Sequence, residues 1–494
     1  MAKNNIRLQY TGLVVFVSRL ISILTGMIFT IVITRNLSFE EFGTWTNIGD
    51  IFHYFTLIAG ILPFWSQRFT ARGRQEAFIT GLVANFSISI LMSGAYLLSI
   101  PILTTLLGIN TIYLLVYELM AIQIIAVHMI SVLESLIELR RPQAIGYGLI
   151  VFECFKLLAS SFLIINDQIN LLLIITIIIA SHFVQMLFYL ILVKNYFKGK
   201  IMWSYIKEWI KASPLNLYHI IGRRLLGIPL LLLFSFSGEL ARAYFGAAQT
   251  ISNIIGYSSF ISFALYPKML MGGGSRDILV ILKMVLMFAT PMTVGVLVLS
   301  DSYLFMLNAP YVDAQPILFF LAIGAFFTIV SGVFSAATMG IDKLGESTDI
   351  PFRTLMKSKT FQLYSIDYLS STIVVPLSYI VLSEYVYDPL QSAIFISAIL
   401  MMSSIFRLIL TRWITKTELT VHFPAKALGK YLLASLVMLA ILSVISHPRL
   451  IREILPLTFF GAVVYFGVLY LLDKETRNLV RLVVKEIQNK LPLR

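Results

Sequence analysis

The sequence predicts an all-α polytopic membrane protein with about fourteen transmembrane helices, and three observations lead there. Of 494 residues, 58% are hydrophobic and only 13% charged, whereas soluble proteins carry about a quarter charged residues. Apolar runs of about 20 residues, the length a helix needs to cross a bilayer, recur from end to end. Lys and Arg gather in every second connection. In hydrocarbon a backbone must satisfy its own hydrogen bonds, so runs of this length are helical.

In order, the spans fall near 12–34, 47–65, 77–101, 111–133, 143–165, 171–193, 215–236, 244–266, 278–300, 315–340, 361–382, 390–411, 428–445 and 454–472. On this count thirty of the 38 Lys and Arg residues lie on one side, from Lys3 and Arg7 to the tail. Four lie on the other side: Arg35, Arg242, Arg449 and Arg452. The positive-inside rule then places both termini in the cytoplasm of a multi-pass protein of the cell (plasma) membrane. The net charge of +13 is therefore topology and not a nucleic-acid footprint. The first run lacks the small-residue cleavage site of a secretory signal and reads as a span.

Several function classes are disfavoured. Cys154 is alone, which excludes a disulfide framework and a cysteine metal cluster. No Gly-x-x-x-x-Gly-Lys loop is present, so no ATP-driven motor is built in. The glycine run at 271–277 reads as a flexible inner turn, and His128 and His182 as hydrogen-bonded packing residues. The longest outer connection, 301–314, has no room for a catalytic domain. The chain is expected to be a transporter, not an enzyme, with no cofactor and no metal.

The chain carries a short internal repeat. Arg19 lies inside the first run, which ends in a polar elbow and Phe42-Gly43. Arg223 and Arg224 lie inside the seventh, which ends in a polar elbow and Phe245-Gly246. From Arg19 to Gly43 is 24 positions and from Arg223 to Gly246 is 23. The expected division is an N-terminal six-helix lobe over 1–196, a linker over 197–213, a second six-helix lobe over 214–416, and two extra helices with a basic tail over 417–494. Six spans per half give both halves the same orientation, related by an axis along the membrane normal. In the linker, Met202, Tyr205, Ile206, Trp209 and Ile210 share a helical face, the pattern of a helix lying on the inner membrane surface. The tail, with Leu479, Leu482, Val483 and Ile487 among basic residues, has the same character.

Cations inside spans are the informative residues, because Arg at a span centre costs about 2.5–3.5 kcal/mol unless it faces an interior or cavity. Arg19 lies about eight residues past the inner end of its span, roughly 12 Å deep. Arg223 sits at similar depth and Arg224 points about 100° away from it. This layer of cations suits an anionic group. Lys156 lies mid-span with Glu153 three residues earlier, readable as an internal ion pair or as a substrate contact. Asp50 and Glu118, in the outer thirds of their spans, are candidates with Glu153 for ion or proton coupling, or simply face outer water. Gly26, Gly222, Gly227 and Pro229 permit bending of spans one and seven.

The segment ITRNLSFEEFGTW, residues 33–45, resembles the elbow after the first span of polysaccharide flippases, the Wzx-like branch of the multidrug/oligosaccharidyl-lipid/polysaccharide (MOP) exporter superfamily. GELARAYFGAAQ, residues 238–249, resembles its second-half counterpart, and Tyr266-Pro267 fits as well. The resemblance implies two pseudo-symmetric six-helix bundles in a V-shaped, MATE-like arrangement, with two C-terminal helices that guide a lipid tail. It implies export, by alternating access, of an oligosaccharide linked to a polyprenyl- or dolichyl-type phosphate or pyrophosphate. Membrane lipids and glycan-assembly enzymes are candidate partners. In related peptidoglycan-precursor flippases arginines of spans one and eight, or nearby, serve the substrate; by position these are Arg19, Arg223 and Arg224 here. Gly227-Ile228-Pro229 stands where many members carry an acidic residue, which argues against ion coupling in span seven. The competing reading is a cation-coupled multidrug exporter of the same superfamily, for which Asp50 is the nearest carboxylate. A membrane-embedded glycan polymerase or ligase fits less well.

Overall fold

The computed structural model describes residues 8–74, 76–197, 199–263, 265–270, 272–342, 356–385, 388–417, 419, 421–445 and 448–478. The expected interfacial tail residues Leu479, Leu482, Val483 and Ile487, and most of the connection after residue 342, lie outside them. Among the described residues the long regular elements are all helices. The first half holds α1 (Leu8–Asn36), α2 (Phe39–Phe55), α3 (Ile61–Ala71), α4 (Glu76–Leu107), α5 (Leu114–Arg140), α6 (Gln143–Ile165), α7 (Leu171–Val193), α8 (Trp203–Ala212) and α9 (Pro214–Leu225). Then come α10 (Ile228–Gly256), α11 (Leu265–Leu270), α12 (Ser275–Val298), α13 (Ser300–Leu307), α14 (Gln315–Ile341), α15 (Lys359–Glu384), α16 (Pro389–Lys416), α17 (Ala425–Val444) and α18 (Ile451–Leu472).

Among the described residues, twelve helical stretches are long and apolar enough to cross a membrane. The difference from fourteen has a physical origin. The span expected at 47–65 is divided between α2 and α3, of 17 and 11 residues. The spans expected at 215–236 and 244–266 lie in one 49-residue helical stretch, Pro214–Ser262. Both places carry glycine followed within three residues by proline: Gly60 with Pro63, and Gly227 with Pro229. Proline lacks an N–H and fits most readily in a helix's first turn, where Pro63 of α3 and Pro229 of α10 both stand.

The chain forms two compact units, Met1–Ala243 with Ser378–Ser392, and Tyr244–Leu377 with Ala393–Arg494. In the first, α1 packs on α6, α6 on α7, and α5 on α3, α4 and α7. Phe78, Leu133, Leu136, Ile137, Tyr189 and Val193 are buried together there. With lipid as apolar as the core, close side-chain fit and hydrogen bonds hold such helices, not water exclusion. Tyr96 donates its hydroxyl to the Tyr117 carbonyl at 2.8 Å, and the Asn47 amide donates to the Tyr117 hydroxyl at 2.7 Å.

The linker helix departs from expectation. The face of α8 predicted to lie on lipid is partly taken up by protein. Trp209 is fully buried against Leu62, Trp65 and Phe69, with Tyr205 and Ile206 beside it. The Trp65 indole N–H donates to Ser213 Oγ at 2.9 Å. Met202 and Ile210 of the same face remain exposed. The expected outer loop 301–314 is also structured, since α13 and a 3₁₀ turn (Ala309–Ala314) bury Tyr303, Leu304, Leu307 and Tyr311.

In the second unit, α12 packs on α14 and α17, and α17 on α18. The two C-terminal helices are bonded into this unit: the Tyr465 hydroxyl donates to the Met287 carbonyl at 2.7 Å, and Lys430 pairs with Asp473 at 2.9 Å. Burial pushes the Asp473 carboxyl up. The Lys430 ammonium and the N–H and hydroxyl of Thr476 outweigh it and hold the group below its ordinary value. A depressed carboxyl adds stability above its unfolded range and loses it as pH falls through its folded one.

Candidate functional site: two interrupted helices

The interruptions of α2–α3 and α9–α10 meet in the first unit. Tyr54, in the last turn of α2, donates its hydroxyl to the Arg224 carbonyl at 3.1 Å. The same carbonyl accepts the Gly227 N–H at 2.9 Å. A helix leaves its last carbonyls without intrahelical partners, and in a membrane no bulk water supplies them. Both lone pairs of this one are filled by the residues that make the break. Arg223 and Arg224 therefore stand at the C-terminal end of α9, where the helix dipole favours positive charge. Arg223 is exposed and Arg224 half-buried. Among the described residues neither guanidinium forms an ion pair. His53, exposed on α2, lies within electrostatic reach of Arg224 and of Asp50.

Asp50 is bonded. Its carboxylate accepts Arg242 Nε at 2.7 Å and Nη2 at 3.1 Å, a two-pronged pair with Arg242 only 2% exposed. The sequence count had put Arg242 in an outer connection. The structure places it inside α10, four residues after Gly238, whose φ of 73° and ψ of −168° turn the chain there. That backbone conformation is open to glycine almost alone. Beyond this turn the chain presses against α2 so closely that a Cβ on Gly43 would stand 1.9 Å from the Glu239 carbonyl oxygen. The Phe-Gly of the first elbow is thus a packing requirement. The elbow's other residues cap α2: Ser38 Oγ accepts the Glu41 N–H at 3.1 Å and the Glu41 carboxylate accepts the Ser38 N–H at 3.0 Å.

Glu153 and Lys156 form a second buried centre. Lys156 Nζ is 2.6 Å from Glu153, and Ser22 and Thr25 of α1 each donate a hydroxyl to that carboxylate at 2.7 Å. The ammonium also lies over the Phe29 and Phe152 rings at 4.9 Å. Of the two readings of Lys156, this geometry has the features of the internal pair. Ser18, Ser22 and Thr25 form the stripe of α1 that faces α6, and Arg19 stands beside it, exposed. Arg19 lies within electrostatic reach of Glu134, which already accepts the Tyr189 hydroxyl at 2.9 Å. Glu118 lies apart, in a largely apolar cavity of about 350 Å³ between α4 and α5. The structure thus gathers Arg223, Arg224 and Tyr54 at one interruption, pairs Asp50 with Arg242, and leaves Glu118 separate. Sequence reasoning missed Arg242 and Tyr54, since neither belongs to a spaced motif.

Solved structures of membrane transporters share this fold. Over 95% of this chain and 100% of the other, it resembles the structure of the lipid II flippase MurJ in an inward closed conformation, at 15% identity and TM-score 0.67. An inward-facing multidrug resistance MATE family transporter of the MOP superfamily matches at 12% identity and TM-score 0.61, over 80% of this chain and 95% of that one. An outward-facing one matches at 13% and 0.52, over 82% and 94%. No protein-family model and no curated protein sequence matches the chain.

Proposed function

We propose that the chain is a flippase, of the Wzx-like kind, that carries an oligosaccharide linked to a polyprenyl- or dolichyl-type phosphate or pyrophosphate from the cytoplasmic to the outer leaflet by alternating access. One observation carries the reading. At the interrupted seventh span two guanidiniums stand without ion-pair partners among the described residues, while Asp50, the carboxylate nearest in electrostatic effect, is held by Arg242. Guanidiniums without a carboxylate partner inside a span select an anion, and Arg binds phosphate oxygens with a two-pronged fork. Arg19 belongs to the same reading as a second contact to the anionic headgroup. The lobe division 1–196 and 214–416, the cytoplasmic termini and a place beside glycan-assembly enzymes are parts of the proposal.

The test is translocation of a lipid-linked oligosaccharide in vesicles containing the purified protein. A hydrogen bond to a charged group is worth about 1.5–3 kcal/mol. Arg19→Ala, Arg223→Ala and Arg224→Ala are therefore expected to slow translocation by roughly tenfold or more at unchanged membrane levels. Unchanged translocation in all three would exclude the anion site. The multidrug reading is supported by the likeness to MATE structures and predicts efflux of cationic dyes lost in Asp50→Asn; dye efflux that persists in all three arginine variants would favour it.

A further inference from the structure

The second unit contains a cavity of about 290 Å³ between α10, α14 and α16, walled by residues of that unit alone. Its chemistry differs from the arginine-rich interruption in the first unit. Gln249 and Asn253, one helical turn apart on α10, line it, and among the described residues neither side-chain amide has a hydrogen-bond partner. Asn253 is exposed to the open cavity. Ser252 and Ser404 line it too, but their hydroxyl protons go to the Gln249 carbonyl at 3.0 Å and the Met401 carbonyl at 2.7 Å, so toward the cavity these oxygens only accept. Phe320 adds an aromatic side chain and Thr328 a further hydroxyl.

No lining residue is charged. Arg407, one turn beyond Ser404 on α16, is bonded at 2.8 Å to the buried Asp367 and so is neutralised. A cation finds no free carboxylate here and an anion no free guanidinium. What the walls offer is two unsatisfied carboxamides, each a donor and an acceptor, surrounded by acceptor oxygens and one ring. Both amides are open to the cavity, where a polar ligand or water can meet them.

We infer that this cavity is a binding site for the hydroxyl groups of an uncharged saccharide, with Gln249 and Asn253 as its principal contacts. A carboxamide donates and accepts side by side, which matches a pair of neighbouring hydroxyls, while the apolar face of a sugar ring fits against Phe320. The inference rests on the flippase reading for its biological use: the arginines take the phosphate and this site takes the glycan.

The test uses the full chain in nanodiscs with Cys154→Ser and a thiol introduced by Ala325→Cys, which lines the cavity. Maleimide labelling of that thiol is followed with maltotriose, cellotriose, chitotriose or raffinose, and with choline or inorganic phosphate as charged controls. At least one saccharide should slow labelling threefold or more. Asn253→Leu and Gln249→Leu should remove that protection, Asn253→Gln should retain it, and neither charged control should protect. No labelling at all, no protection by any saccharide, equal protection by choline or phosphate, or protection indifferent to both leucine variants would each overturn the inference. The assay needs no translocation. If vesicles containing the protein translocate no lipid-linked oligosaccharide while saccharide protection holds, the flippase reading fails and this site stands; translocation without saccharide protection sinks only the site.

Discussion

Arg242 and Asp50 show how much a single buried charge can depend on its partner. Burying an ion pair is close to neutral, but removing one member strands the other in a low-dielectric interior at a cost of about 3–5 kcal/mol. Asp50→Ala should therefore lower the thermal unfolding temperature of the detergent-purified protein markedly. Asp50→Leu combined with Arg242→Met should recover most of the loss. An unshifted unfolding curve in the single variant would mean that the pair does not hold α2 against α10. From the sequence, Asp50 read as a free carboxylate and Arg242 as a loop residue, because their separation of 192 positions is invisible to any local pattern. Glu153 and Lys156 were legible as a pair, since three residues on a helix bring two side chains together without help from the rest of the fold.

The helical elements were largely legible, because apolar length and bilayer thickness fix them before any packing is known. The breaks were half legible. Gly227 and Pro229 mark a bend inside span seven, while Gly60 and Pro63 lie in the apolar second half of the run 47–65, where nothing else signals a break. What no periodicity could supply is the hydrogen bond joining the two breaks. Tyr54→Phe removes one of the two donors to the Arg224 carbonyl, a loss of about 1 kcal/mol. The Gly227 amide, which shares that carbonyl, should then exchange its hydrogen roughly five times faster. An unchanged exchange rate would place the tyrosine outside the support of the break. The linker helix teaches the converse lesson. An amphipathic stripe marks a face that leaves water, but Trp65, Phe69 and Trp209 decide that protein covers part of it.

For the whole molecule, alternating charge predicts which connections lie on which side, and this is open to direct measurement. In a Cys154→Ser background, an impermeant thiol reagent should label Asn36→Cys in intact cells and Gly199→Cys only after permeabilisation. The opposite pattern would invert the topology and the direction of transport with it. The all-helical class and its multiple crossings followed from composition and run length. The division of the two units at Ala243 and Tyr244 was not legible, since it falls five residues past the Gly238 turn, inside a helical stretch where nothing in the composition changes.

Cutting the seventh span at Leu226 and Gly227 also has a mechanical meaning. Helix α9 has 12 residues, so it is a stiff rod about 18 Å long that starts at Pro214 and ends at the break. Swinging such a rod by some 20° carries its tip about 6 Å. The two guanidiniums ride on that tip. On the proposed flippase reading, a short lever of this kind would shift positive charge without asking the rest of the bundle to travel with it.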